Sequence, residues 1–391
     1  MPSVPNRFNG LGVGFAPYLV PPPEDVVRWT VGEPGFDTPR PVVDAAIDAL
    51  NRGETHYSRG PGSIELCTKV SEQINRLWGL QSSPETVMIT PGAKQALLYS
   101  MMITMEPGDE LLIPAPAWPT YDGQAGLLGI HPVFTATDEN FHPDLEDMRN
   151  SITEKTRCIL INSPNNPTGA VYNKTELKAL AEVLLQYPKI KILMDDIYEH
   201  IIFDDSAFTT LTNVEPKLRN RTVIANGVSK SYAMTGWRVG YAAAPKQMIQ
   251  QMTKLQSLVT GGACSVSQAA SIAALTGPQD FIKDRSKSFQ ERRDIVVSMI
   301  NQAAGLSCPT PKGAFYIYPS CAGVIGKKTP SGKTISNDRD FVLYLLEQEN
   351  VATVHGGAYG ISPHFRISYA SAQDELIEAC QRIQRACAAL I

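Results

Sequence analysis

Seven short runs rich in valine, isoleucine and leucine punctuate the chain: Thr86–Ile89, Glu110–Ile113, Pro132–Thr135, Cys158–Ile161, Lys191–Met194, Thr222–Ala225 and Val239–Ala243. Most are separated by amphipathic stretches of helical period. A run that is apolar on consecutive positions must be buried on both faces, which a sheet covered by helices on both sides provides. The pattern predicts an α/β fold: a large domain with a mainly parallel seven-stranded sheet flanked by helices. In such sheets ligands sit beyond the carboxyl ends of the strands, so the residues just after each run are where chemistry is expected.

The flanks of this region read differently. The first 23 residues are rich in proline and glycine and end in Pro21-Pro22-Pro23, the composition of an extended arm. Helices are expected over Pro41–Leu50 and Ser63–Trp78. From Phe281 a long amphipathic helix runs to Asn301, followed by strand-like Ala314–Tyr318, a polar loop near 326–336, a helix over Asp338–Glu349, strands near Val351–His355 and Phe365–Tyr369, and a last helix. Few strands among helices suggest a smaller α+β domain. The expected division is an arm and part of the small domain over 1–39, a large domain over 40–285 and the small domain over 286–391.

Composition removes several classes of function. The 391 residues carry 35 Lys and Arg against 39 Asp and Glu, a formal charge of −4, with no basic run, so no nucleic-acid footprint is present. The longest apolar stretches span about ten residues, short of the roughly 20 that cross a bilayer. The opening residues lack the basic-then-apolar order of a secretory signal. Seven cysteines form no CxxC pair and six histidines form no HExxH, so reduced thiols, a cytoplasmic location and no metal are expected.

The residues at the ends of the runs are chemically pointed. Lys230, in Ser229-Lys230-Ser231-Tyr232, sits after Thr222–Ala225, where a desolvated lysine amine has a lowered pKa and can form a Schiff base. Asp195 comes directly after Lys191–Met194; a buried carboxylate there needs a cationic or donor partner, which a protonated pyridine nitrogen would provide. Asn166 lies in a turn whose two prolines fix the backbone. Arg238 can grip a phosphate in bidentate fashion, and Gly92-Ala93-Lys94 opens a helix whose free N–H groups bind phosphate. A phosphate handle, a pyridine nitrogen, a ring hydroxyl and an aldehyde for the lysine together describe pyridoxal 5'-phosphate.

Four segments resemble one family: Asn162–Tyr172 (NSPNNPTGAVY), Asp195–His200 (DDIYEH), Ser229–Tyr241 (SKSYAMTGWRVGY) and Phe365–Ala370 (FRISYA). Together they are similar to a class I aminotransferase of pyridoxal-phosphate fold type I, nearest the bacterial aspartate aminotransferase subgroup with its prephenate-using members. The resemblance runs from about Val31 to the C-terminus and includes Gly313-Ala314-Phe315-Tyr316 and Pro330-Ser331-Gly332-Lys333. It implies that Lys230 holds the cofactor and shuttles a proton, and that Asp195 keeps the ring nitrogen protonated. By the same likeness Tyr198 and Asn166 hydrogen-bond the ring oxygen, Trp118 stacks on the ring, and Ala93, Lys94, Ser229 and Arg238 surround the phosphate. Tyr57 would reach the phosphate of a neighbouring subunit, making a homodimer with shared active sites. For substrate, the resemblance implies that Arg366 clamps the α-carboxylate, Gly32 allows close backbone approach, and Lys94 meets a distal carboxylate, with Trp118 and Asn166 alongside.

The chain departs from the resembled pattern in three places. The segment usually of the form Lys-Pro-Ser-Ala-Thr over the substrate is here Gly10–Pro17. Arg59 stands where a small apolar residue is common, as a replacement contact or a solvent-facing loop arginine. Gly227 replaces a serine that other branches use for phosphate. The expected function is an aminotransferase exchanging nitrogen between an amino acid, first aspartate, and a 2-oxo acid, first 2-oxoglutarate, in two steps. An aromatic or prephenate substrate is the alternative, and a lyase or decarboxylase of the same fold type a more distant one. A dinucleotide dehydrogenase is disfavoured because Gly10-Leu11-Gly12-Val13-Gly14 lacks a flanking strand and helix.

Overall fold

The computed structural model describes residues 25–204 and 206–391. The expected proline-rich arm and the Gly10–Pro17 segment lie outside them. In chain order the strands are β1 (Val27–Arg28), β2 (Val87–Thr90), β3 (Glu110–Pro114), β4 (His131–Thr135), β5 (Thr156–Asn162), β6 (Lys191–Asp195), β7 (Thr222–Gly227), β8 (Gly240–Ala243), β9 (Tyr316–Ile317), β10 (Val351–Ala352), β11 (Val354–His355) and β12 (Phe365–Ser368). The helices are α1 (Arg40–Asn51), α2 (Ile64–Trp78), α3 (Ala93–Thr104), α4 (Pro119–Leu127), α5 (Leu145–Ser151), α6 (Lys174–Leu185), α7 (Leu211–Val214), α8 (Lys246–Val259), α9 (Ser265–Thr276), α10 (Asp280–Asn301), α11 (Asp338–Glu349) and α12 (Gln373–Ala388).

All seven expected runs join one sheet, in the order β2-β8-β7-β6-β5-β3-β4. The neighbours from β4 through β7 pair in parallel, and β8 alone runs antiparallel between β2 and β7. Alternate strand residues feed different cores, as the two-residue period requires. Ile159, Ile161, Ile192, Met194 and Ile224 pack in one, whereas Cys158, Leu160, Leu193 and Val223 pack in the other. Burying both faces explains why these strands read as continuous apolar runs rather than alternating ones. The carboxyl ends of β5, β6 and β7 lie side by side, at Asn162, Asp195 and Gly227.

A third core gathers α10, α11 and α12 around two small sheets, β11-β12-β9 and β1-β10. The expected strand over Val351–His355 divides: β10 pairs in parallel with β1, while β11 pairs antiparallel with β12. The expected strand Ala314–Tyr318 shortens to β9 at both ends; on the N-terminal side Ala314 takes a left-handed backbone conformation (φ 55°), which breaks the extended run. Through β1 the chain ahead of α1 is tied to this second body: Val27 and Trp29 donate to the carbonyls of Asn350 and Ala352. Trp29 is fully buried in its core. All seven cysteines are free thiols, buried except Cys264. Among the described residues no helix is long and apolar enough to cross a membrane.

Candidate active site

Beyond the β5–β7 strand ends opens a cavity of about 420 Å³, within the size range of small-molecule sites. Of the residues singled out from sequence, Gly32, Ala93, Lys94, Trp118, Asn166, Asp195, Tyr198, Ser229, Lys230, Arg238 and Arg366 all line it. Lys94, Lys230, Arg238 and Arg366 face a single carboxylate, Asp195, on that wall. Four cations against one anion suit a ligand that brings several negative charges.

Asp195 is delivered by the last residue of β6 and is buried. Its Oδ2 accepts from the Tyr121 hydroxyl at 2.7 Å and its Oδ1 from the Ile197 amide at 3.4 Å. Burial outweighs these bonds and pushes its carboxyl up to about 6. It makes no ion pair with a described residue. The adjacent Asp196 points elsewhere: it does not line the cavity, and burial raises it with further push from Glu199.

Lys230 lies in the excursion between β7 and β8. Its Nζ donates to the Gly32 carbonyl at 2.5 Å. Enclosure by protein lowers its pKa to about 8, opposed by Glu33 and helped by Arg366. At pH 7 roughly one such amine in ten is free base, against fewer than about one in a thousand for an exposed lysine.

One end of the cavity is shaped by glycine backbone. Gly92, at φ 84°, ends the β2 turn and caps α3. A side chain on Gly92 would come within 2.3 Å of Arg238 Nη2, and one on Gly240 within 2.2 Å of the Ala93 nitrogen. Both glycines thus let the guanidinium and the first turn of α3 meet, where the initial N–H groups have no intrahelical partner. Arg238 itself takes a left-handed conformation and donates Nη1 to the Thr235 carbonyl at 2.8 Å. The missing serine at Gly227 has a local cause, since a Cβ there would lie 2.8 Å from the Gly240 Cα and 2.9 Å from the Val239 carbonyl oxygen.

The opposite end is made by β12. Arg366 is buried, with Nη1 donating to Asn166 Oδ1 at 3.0 Å and Nη2 to the Thr30 carbonyl at 2.5 Å. Its Nε has no partner among the described residues, an unsatisfied buried donor of the kind a carboxylate would complete. Asn166 is held in place through Asn162, whose Oδ1 accepts from the Asn166 amide and whose Nδ2 donates to the Asp195 carbonyl, both at 2.8 Å. Lys94 Nζ stands 4.8 Å from the centre of the Trp118 ring, its pKa lowered by burial and by Arg238.

The residues present therefore fit pyridoxal phosphate. A buried carboxylate that makes no ion pair with a described residue, an amine tuned towards its free base and a glycine-made helix start beside an arginine answer the ring nitrogen, the aldehyde and the phosphate. Among the lining residues that the sequence left without a role are three with polar groups at the heart of the site, Tyr121, Asn162 and Tyr316. Tyr121 sits inside α4 and reads as a core aromatic; only the fold brings it to Asp195. Tyr57 and Arg59 do not line this cavity. Tyr57 is fully exposed at a second hollow, formed by 55–58 and 260–265, and Arg59 is exposed beside it.

Known proteins carry the same organisation. The sequence profile of the family "Aminotransferase class I and II" matches residues 24–383. A "Probable aspartate/prephenate aminotransferase" of Rhizobium leguminosarum bv. phaseoli is 51% identical over 367 residues, covering 93% of this chain and 92% of the relative. An "Aspartate aminotransferase" of Rhizobium meliloti (strain 1021) is 49% identical over 364 residues, covering 93% of this chain and 89% of the relative. The crystal structure of the aspartate aminotransferase from Rhizobium meliloti superposes with a TM-score of 0.94 at 45% identity, over 100% of both chains.

Proposed function

The chain belongs to the class I and II aminotransferases, which depend on pyridoxal phosphate, and from that premise we propose that it exchanges an amino group between aspartate and 2-oxoglutarate. When bound, pyridoxal phosphate supplies an aldehyde that condenses with amines and a ring that accepts the electron pair left when the substrate α-carbon loses its proton. In this reading Lys230 is the covalent anchor, and its Nζ, once released, takes the proton from the α-carbon and holds it for return. A pKa of about 8 lets it do both near neutrality. Asp195 stays ionised against the ring nitrogen, which offsets the desolvation that otherwise raises its carboxyl. The Ala93 and Lys94 N–H groups, Ser229 and Arg238 would hold the phosphate. Tyr198 and Asn166 would donate to the ring oxygen, and Trp118 would cover one ring face.

Arg366 receives the α-carboxylate while Gly32 keeps the backbone close, and Lys94 meets the distal carboxylate. Tyr57 is proposed to complete the phosphate site of a second copy. Its full exposure, and that of Leu258 and Val259 just ahead of the 260–265 wall of its hollow, supports a homodimer with shared sites. The division into a large body over 40–285 and a smaller one over 286–391, with the segment ahead of α1 attached to the smaller, belongs to the same proposal and is supported by the core that gathers 286–391 with Trp29, into which only Ile197, Tyr198, Ile201 and Phe203 of the large body's buried apolar residues reach. The free thiols support a cytoplasmic location.

The observation that carries this reading is the sharing of one cavity wall by an amine driven towards its free base and a buried carboxylate that makes no ion pair with a described residue. Prephenate as acceptor is the second reading. It too bears two carboxylates, and several relatives are named for it. The test is a half-reaction screen of the twenty amino acids against the cofactor-loaded protein, read by the absorbance of the bound cofactor. Aspartate should convert it fastest, and 2-oxoglutarate or prephenate should restore it. Conversion that neither oxo acid reverses would assign a lyase or decarboxylase instead.

A further inference from the structure

We infer that Tyr316 is a positioning residue that couples the carboxylate-binding arginine, Arg366, to the cofactor-facing hydroxyl of Tyr198. The inference rests on the roles proposed above for those two residues. Tyr316 is carried by β9 of the smaller body and is buried to 1% exposure, yet it lines the cavity. It touches three parts of the site at once.

The first contact is with Tyr198: the two hydroxyls lie 2.8 Å apart and the rings meet edge to face at 5.6 Å. The second is with Arg366, whose guanidinium carbon stands 4.8 Å from the centre of the Tyr316 ring. The sheet enforces this approach. Tyr316 is paired with Ser368 across the β9–β12 ladder, and Arg366, two residues before Ser368, projects on the same face. The third is with Gly32. A Cβ at that position would fall 1.9 Å from the Tyr316 hydroxyl oxygen, so the hydroxyl occupies the space that any side chain would need. The Gly32 carbonyl in turn accepts the Lys230 amine.

Proton count gives the Tyr316–Tyr198 contact a direction. Each hydroxyl has one proton to donate. If Tyr198 spends its own on the cofactor's ring oxygen, the bond between the tyrosines must run from Tyr316 to Tyr198. Accepting that bond polarises the Tyr198 O–H and makes it a better donor. A better donor stabilises negative charge on its acceptor and favours loss of the proton that shares that charge. Tyr316 therefore holds the titration of the bound cofactor at a lower pH than Tyr198 alone would. Its ring, separately, keeps Arg366 oriented through the cation–π contact.

These two roles separate in experiment. In cofactor-loaded Tyr316→Phe the ring remains and the hydroxyl is lost. The midpoint of the pH-dependent absorbance change should rise by about half a pH unit, a fraction of one hydrogen bond, while KM for the amino acid stays within about twofold. In Tyr316→Leu both should move, with KM rising roughly three- to tenfold as the cation–π contact disappears. A tyrosine that only filled the core would leave the Phe variant's midpoint at the wild-type value, and that result overturns the inference even if Tyr316→Leu fails to fold. If the wild-type protein itself shows no titrating cofactor band, the cofactor roles proposed for Tyr198 and Lys230 fall, and the coupling falls with them. Gly32→Ala gives a third arm: its loss of activity should be partly restored by adding Tyr316→Phe, which removes the nearest clashing atom, and no restoration would contradict the contact.

Discussion

The two ends of the cavity are built to different standards. At the Arg366 end everything is fixed before a ligand arrives: the guanidinium is buried, two of its nitrogens are engaged by Asn166 and the Thr30 backbone, and the Tyr316 ring lies against it. At the Lys94 end the amine is held only by the Trp118 ring and has no carboxylate partner among the described residues. The difference maps onto substrate chemistry. Every amino acid presents the same α-carboxylate, so its receptor can be rigid. Side chains differ, and their receptor keeps a long flexible arm whose ordering is costly until a distal carboxylate fixes it.

Lys230 shares the cavity with both ends, and its removal should be indifferent to the contrast. Lys230→Ala is expected to fold, to show no borohydride-trapped adduct with the cofactor, and to lose transamination by at least about a thousandfold for all amino acids alike. Activity that survived for one substrate class would break the comparison at its centre. Arg366→Lys keeps a charge but not the two-pronged geometry. We expect a loss of about 2–5 kcal/mol in kcat/KM that is equal for aspartate and for apolar amino acids; selective harm would mean that this end also reads side chains.

Asp195→Asn sharpens the comparison from the stability side. With a folded pKa near 6 against about 4 when unfolded, the ionised form is the disfavoured one, so this carboxyl lowers the stability of the cofactor-free protein increasingly from pH 4 to 6 and fully above 6. Removing it should make the cofactor-free protein more stable at pH 7 by up to about 3 kcal/mol, and leave stability nearly unchanged at pH 4. A denaturant titration showing the reverse pH trend would mean the carboxylate already has a cation. The smallest effect is expected at the loose end. Lys94→Met should cost dicarboxylic substrates roughly tenfold and apolar ones little, as measured by half-reaction rates; equal harm would move Lys94 out of substrate selection.

Much of this was legible in the chain. The sheet strands announce themselves because burial on both faces leaves uninterrupted Val, Ile and Leu, and Asp195 and Lys230 stand where such runs stop. What sequence hides is contact made across the fold. Tyr121 reaches Asp195 from a helix 74 positions earlier, and Tyr316 reaches Tyr198 across 118. Both read locally as core aromatics because their working atom is one hydroxyl at the tip of an otherwise apolar ring. The splitting of Val351–His355 between two sheets is equally non-local, set by β1 arriving from the far end of the chain. Arg59 shows the converse: an unusual residue beside a motif, which the fold turns away from the cavity of its own chain.

The neck between β7 and β8 has a consequence for how this protein can vary. Gly227 and Gly240 face each other in that ladder, and a methyl group on Gly227 would strike the Gly240 Cα. Lys230 and Arg238 therefore sit on a noose whose knot is drawn to glycine tightness. Surface loops normally absorb insertions and deletions, but here one added residue would slide the anchor against the anion grip. In a random length-variation library this stretch should tolerate as few changes as a buried strand does, although its only regular structure is one short helical turn at Thr235–Trp237.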